Sequence, residues 1–257
     1  MINKLICADD FAITTNVSKA IIKLLEKKKI NSTSCIVTTK NASRNLNLLK
    51  KFNSKKDFLI GLHLTLTNFI PSTKFIKIKR FGSIVNLYLN IFFNNITREE
   101  IKNELLNQIL IFKKKFGNYP KLIDGHHHIH QLPIISEILI GIIKELKIKE
   151  IIVRNTKVKL KDALSIKKNL YKTILLSIFG YFFRKKLIKN KIKTNDYFLG
   201  IYDFRNVEIF KKNFEIFNKS NEFYIFMCHP GFSDKILKSL DSVTKQREIE
   251  FKILLNY

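Results

Sequence analysis

The sequence predicts an α/β fold: a TIM-like barrel of about seven parallel strands with helices between them, with an open doubly wound sheet as the competing arrangement. Three observations point there. Short apolar runs end in polar motifs, longer segments of helical period separate them, and chemically unusual residues stand just after the runs, where parallel α/β proteins bind ligands. A chain of 257 residues, 46% of them hydrophobic, suits one such barrel. No internal repeat, Ser/Gly linker or shift in composition divides it, so residues 1–257 are expected to form a single domain.

In chain order, Lys4 to Ala8 reads as the first strand and Thr15 to Lys28 as a helix. Ser32 to Thr39 is the second strand, Ser43 to Lys50 a helix and Phe58 to Leu64 the third strand. Thr97 to Phe116 carries the clearest helical signal: Thr97 and Glu100 form a capping box, Ile101, Leu105, Ile109 and Phe112 recur at helical spacing, and Gly117 then Pro120 stop it. Strands follow at Lys121 to Asp124, Glu150 to Arg154, Tyr197 to Ile201 and Phe223 to Cys228. Between and after them, helices are expected from Pro133, a first-turn residue, to about Lys147, and over Leu170 to Lys189, Asn206 to Asn218 and Ser242 to Leu255.

The net charge of +26 would by itself suggest a polyanionic partner. The basic residues are mostly Lys scattered among Ile and Asn, a bias that compositional drift produces, and the 22 Phe fall mainly at core-like positions such as Phe210, Phe214 and Phe217. No nucleic-acid partner is therefore expected. Cys7, Cys35 and Cys228 show no paired spacing, which argues against a disulfide framework or a zinc ribbon and for a reducing, cytoplasmic location. The N-terminal apolar run is interrupted at once by two carboxylates, unlike a signal peptide or anchor. Thr173 to Phe183 is strongly apolar and flanked by basic residues, but too short to span a bilayer; a weak contact with a membrane surface through 170–190 is the most it suggests.

The residues that carry chemistry gather at strand ends. Asp9 and Asp10 follow the first strand, His63 ends the third, Asp124 with His126, His127, His128 and His130 follows the fourth, and His229 follows the last, which accounts for all six histidines. In DGHHHIH an extended segment would project His126, His128 and His130 to one side and His127 to the other. A carboxylate from Asp9 or Asp10 with two imidazoles would make a three-ligand metal centre with a position open for water. Adjacent carboxylates diverge, so one can bind an ion while the other acts as a base; the competing role for the pair is a helix N-cap. His63 alone would pass for a core residue, with Gly61 admitting a neighbouring backbone. Pro230 and Gly231 put His229 on a turn, Gly231 through an unusual dihedral.

Taken together, ICADDFAIT, INSTSCIVT, IGLHLTLT, LIDGHHHIHQLP, IIVRN and MCHPGF resemble, in order and separation over nearly the whole chain, the YdjC-like family of carbohydrate deacetylases, which includes chitooligosaccharide and hopanoid-linked sugar deacetylases. The resemblance implies a deformed TIM-like barrel and one divalent ion, Mg2+ or Zn2+, held by Asp10, His63 and His126. It implies Asp9 as general base, His229 as general acid and Arg154 as partner of the base. His128, His130 and Phe11 are left to touch substrate or support the ligands. The substrate would be an N-acetylated sugar, and a homodimer is compatible with the pattern. Gly125 stands where the family usually has Ser, and Ala12 where it usually has Gly. Similar proteins typically continue into a further strand after the final helix, so a barrel left incompletely closed, or closed by a partner subunit, is expected. The alternatives are a metal-dependent phosphoesterase, which would want more carboxylates and a second ion, and a basic glycan- or nucleic-acid-binding protein with a decayed site.

Overall fold

The structure, a computed structural model, describes residues 4–53, 58–166, 170–202, 204, 206–241 and 243–257. Seven parallel strands form one sheet: β1 (Lys4–Phe11), β2 (Ser32–Cys35), β3 (Leu59–Leu64), β4 (Leu122–Gly125), β5 (Ile152–Val153), β6 (Tyr197–Leu199) and β7 (Tyr224–Cys228). Their order is β5-β4-β3-β2-β1-β7-β6, and the sheet curls into a deformed, incompletely closed barrel. At the seam the edge strands share no ladder. One bridge joins Ile152 to Lys193, and Asn155 and Asn195 exchange amide bonds: Asn155 N–H reaches Asn195 Oδ1 at 2.9 Å and Asn195 Nδ2 reaches the Asn155 carbonyl at 3.0 Å.

Around the sheet run α1 (Thr15–Glu26), α2 (Ala42–Asn53), α3 (Ile84–Phe92), α4 (Arg98–Phe116), α5 (Pro133–Glu145), α6 (Leu160–Ile166), α7 (Leu170–Lys189), α8 (Val207–Lys219), α9 (Lys235–Leu240) and α10 (Thr244–Asn256). The Thr97–Glu100 capping box is present and Gly117 ends α4 at φ 84°, a left-handed conformation that a side chain would resist. The cap of α1 is Thr14, whose hydroxyl accepts from Val17 N–H at 3.2 Å, so the aspartate pair is free of that duty. Ser242, the expected start of the last helix, lies outside the described residues.

Strand lengths differ from expectation for local reasons. β2 ends at Cys35, not Thr39, because side-chain hydroxyls replace the ladder there: Thr39 Oγ1 bonds to the Ala12 carbonyl at 2.6 Å. Glu150 adopts φ 56° and so cannot begin β5.

The period-2 alternation of the strands places the site. Leu5, Cys7, Leu122, Ile152, Phe198, Ile225 and Met227 form one buried apolar cluster, at alternate positions of β1, β4, β5, β6 and β7. The same columns continue upward into Asp9, Asp124 and Arg154. An apolar barrel interior is thus capped, at the carboxyl ends of its strands, by a layer of buried charge.

Candidate metal centre and active site

A regular strand would send Asp9 and Asp10 to opposite faces. Between Ala8 and Phe11 the β1–β2 register slips, and Asp10 takes φ 63°. That bulge brings both carboxylates to the barrel mouth, each about 1% exposed. Gly61 below His63 has the role its position suggested: a Cβ there would stand 2.8 Å from the Leu122 carbonyl oxygen, so β3 and β4 could not pair as closely.

Asp10, His63 and His126 converge. Asp10 Oδ1 lies 3.2 Å from His63 Nε2 and 3.3 Å from His126 Nδ1. This oxygen is buried and has no hydrogen-bond partner, while its twin Oδ2 accepts from Arg247 Nη2 at 2.5 Å. Donors held about 2.1 Å from a tetrahedral ion stand about 3.4 Å apart, so the spacing fits a divalent cation bound by one carboxylate and two imidazoles. His63 Nδ1 is engaged by Asp124 Oδ1 at 2.7 Å, which leaves Nε2 facing the other two donors. Burial opposes charge on His63, but Asp124, Asp10 and Asp9 together outweigh it and the pKa rises to about 10. Burial likewise pushes Asp10 up, yet Arg247 and the two imidazoles carry it well below the usual carboxylate range.

Asp9 belongs to a second, adjacent arrangement. Arg154 Nη1 and Nη2 donate to its two oxygens at 2.8 Å each, and Nη1 also reaches Asp124 Oδ2 at 2.9 Å. Ser34 donates to Asp9 Oδ1 at 3.3 Å. Cys7, Asp9 and Asp124 also cluster tightly enough to hold an ion, but the Arg154 guanidinium already supplies the cation between those carboxylates.

The His-rich segment departs from its expected form. It is a 3-10 turn, His126–Gln131, with His127 at φ 54° and His128 at φ 58°, so the imidazoles do not alternate along an extended chain. His126 turns towards Asp10 and His63, with Phe69 edge-on to it at 5.3 Å between ring centroids. His127 turns outward against Thr67 Oγ1 at 3.1 Å. His128 stays part-exposed beside Phe198, its Nδ1 unpartnered. His130 is fully buried, its Nε2–H donating to the Arg154 carbonyl at 2.8 Å, and burial draws its pKa to about 3. Gly125 is explained by the same ring, since a Cβ at that position would come within 3.1 Å of His130 Nδ1. Phe11 is fully buried in the core. Of the two roles expected for Phe11 and His130, substrate contact or support, burial leaves support.

His229 lies part-exposed across the mouth, with Phe204 edge-on at 5.4 Å. Desolvation draws its pKa to about 4. Gly231 has no left-handed φ, contrary to expectation; it is required because a Cβ would sit 2.9 Å from Val17 Cγ2.

Two residues escaped sequence reasoning, both on α10. Arg247 binds Asp10, and its Nε also holds Asp241 Oδ2 at 2.6 Å. Glu250 accepts the His229 backbone N–H at 2.5 Å and the Tyr202 hydroxyl. Both side chains sit on the buried face of the helix with Thr244, Phe251 and Leu254, and two charges on an apolar stripe were the available signal.

Residues 5–256 match the family described as YdjC-like protein. The chain belongs to that family. Two similar YdjC relatives are named carbohydrate deacetylase: one from Clostridium beijerinckii, 27% identical over 97% of this chain and 89% of its own, and one from Halalkalibacterium halodurans, 26% identical over 96% and 92%. The YdjC fold is matched by a solved structure described as a candidate cellobiose-phosphate cleavage protein from Enterococcus faecalis, with TM-score 0.73 and 22% identity over 98% of this chain and 90% of that one.

Proposed function

We propose that this chain is a metal-dependent carbohydrate N-deacetylase, a hydrolase that removes acetyl groups from N-acetylated sugars. The observation that carries the reading is the unpartnered Asp10 Oδ1 held between His63 and His126, beside an aspartate gripped by Arg154 and across from His229. Family membership and the names of the relatives support the same reading.

Asp10, His63 and His126 would hold the ion, zinc or magnesium, with two imidazoles in the set favouring zinc. When bound, it would supply Lewis-acid polarisation of the acetyl oxygen and lower the pKa of water towards about 7. Asp9 accepts the proton of the attacking water, and the Arg154 fork fixes which way its oxygens face. His229 rests neutral, so it takes up a proton during the cycle and delivers it to the departing sugar amine. Of His128 and His130, only His128 is part-exposed, so it is the one open to contact with the sugar, its buried Nδ1 excepted. Arg247 and Glu250 hold Asp10 and the His229 backbone in place from one helix. Three free, buried thiols suit a reducing cytoplasm.

The test is acetate release from a panel including N,N'-diacetylchitobiose and lipid-linked N-acetylglucosamine, by ion-loaded protein and by Asp9→Asn. The expected result is ion-dependent release that falls by a factor of about 10²–10⁴ in the variant while ion binding persists. No release from any sugar by protein with ion bound would overturn the reading.

A further inference from the structure

Helix α7 is apolar on two opposite faces. Inward, Thr173, Gly180, Phe183 and Leu187 are buried, and the helix approaches the segment after β5 so closely that a Cβ on Gly180 would stand 2.3 Å from Lys157 N. Outward, Tyr171, Ile174, Ile178 and Tyr181 with Phe182 recur at spacings of three and four, and Ile188 follows nearer the end of the helix, each between 41% and 81% exposed. Beside this stripe a cavity of about 650 Å³ opens between α6 and α7, lined by Leu160, Ile174, Ile178 and Phe182. Side chains this apolar, contiguous along a 20-residue helix, are not left in water without a partner that covers them.

The charges choose between the partners. The helix holds Lys172, Arg184, Lys185, Lys186 and Lys189 and no Asp or Glu. Arg184 and Lys186 are paired with Asp196 and Glu137. Lys172, Lys185 and Lys189 make no ion pair among the described residues. A second copy seated stripe to stripe would set these lysines against their equivalents with no acid on the helix to separate them. An anionic bilayer surface answers both features, since apolar side chains enter the acyl boundary while lysines reach back to the headgroups. The net charge of +26 favours the same approach. No helix among the described residues is long and apolar enough to cross a membrane, so the contact is one of lying on the surface.

We propose that the outer face of α7 is a docking surface for anionic membranes. The docked helix is one layer from the candidate site: Phe183 lies edge-on to His130 at 5.7 Å, and Thr156, two residues after Arg154, bonds to the Leu176 carbonyl at 2.7 Å. This inference stands apart from the catalytic reading and is tested without it.

The experiment is flotation of the full chain with phosphatidylcholine vesicles, either pure or with phosphatidylglycerol at about one part in three, together with light scattering of the free protein. Each lysine near an anionic surface strengthens binding roughly fivefold, so the anionic vesicles are expected to bind at least tenfold more tightly than the neutral ones. The Ile178→Asp/Phe182→Asp variant is expected to lose that binding with its melting temperature preserved. A second variant, Lys172→Gln/Lys185→Gln/Lys189→Gln, leaves the stripe intact and is expected to weaken anionic binding at least tenfold. Equal affinity for both vesicles, binding to neither, or a wild-type dimer that the Asp variant dissociates would overturn the proposal.

Discussion

Arg154 grips Asp9 through both terminal guanidinium nitrogens, each bond 2.8 Å long, with neither side chain more than 1% exposed. A fork of this kind fixes the carboxylate plane as well as its charge. Replacing Arg154 by Met leaves Asp9 and Asp124 buried without their cation and should cost about 3–5 kcal/mol. Arg154→Lys keeps the charge but loses the fork, so its expected signature is a fall in kcat with a smaller loss of stability, read from steady-state kinetics beside urea denaturation.

The unpartnered Asp10 oxygen predicts linkage between ion and stability. At a hundredfold excess over Kd a bound ion stabilises the fold by about 2.7 kcal/mol. For a chain of this size that is a rise in Tm of about 5–10 °C on adding zinc or magnesium to chelator-treated protein. Asp10→Asn should abolish the rise; a variant that still responds would place the ion elsewhere.

Glu250 should leave a mark on the pH dependence of stability. Desolvation raises its carboxyl from 4.5 to about 7. The folded state therefore holds this proton longer than the unfolded one, and stability falls as pH rises from about 4.5 through about 7. Glu250→Gln does not titrate. The stability of wild type minus that of variant should decline by on the order of 3 kcal/mol across this window, measured as urea midpoints from pH 4 to 8.

His130 carries the opposite sign. With its pKa lowered from 6.5 to about 3, the stability that its neutral ring contributes is present above pH 6.5 and is lost as pH falls towards 3. His130→Ala opens a cavity and strands the Arg154 carbonyl, so a loss of about 2–4 kcal/mol is expected at pH 7.5, shrinking in acid. Ion affinity, followed by calorimetry, should hold to within about threefold; a large loss would place His130 among the ligands.

All seven strands and seven of the helices were legible, because apolar runs, caps and strand-end polar residues are local signals. The Thr97 capping box and Gly117 stop were read directly. Helices α3, α6 and α9 were not, being short; α3 packs Ile84, Leu87 and Ile91 on the core but also turns Val85, Tyr88 and Phe92 outward, so its apolar residues single out no one face. In the site, Asp9, Asp10, His63, His126 and His229 gather as their strand-end positions implied. The geometry of the histidine run was hidden, because two successive left-handed residues, His127 and His128, have no glycine to announce them. Arg247 and Glu250 were hidden for another reason: their partners Asp10 and His229 are distant in sequence, and a helix carries no strand-end marker.

The bond from Arg247 to Asp10 spans 237 residues. During synthesis β1 to β6 emerge from the ribosome well before α10, and β7 only shortly before it. Until that helix leaves the exit tunnel and docks, Asp10 lacks its guanidinium and the His229 N–H lacks its acceptor. A nascent chain can therefore assemble much of its sheet while Asp10 and the His229 turn are still unbraced, and the docking of α10 is the step that braces both.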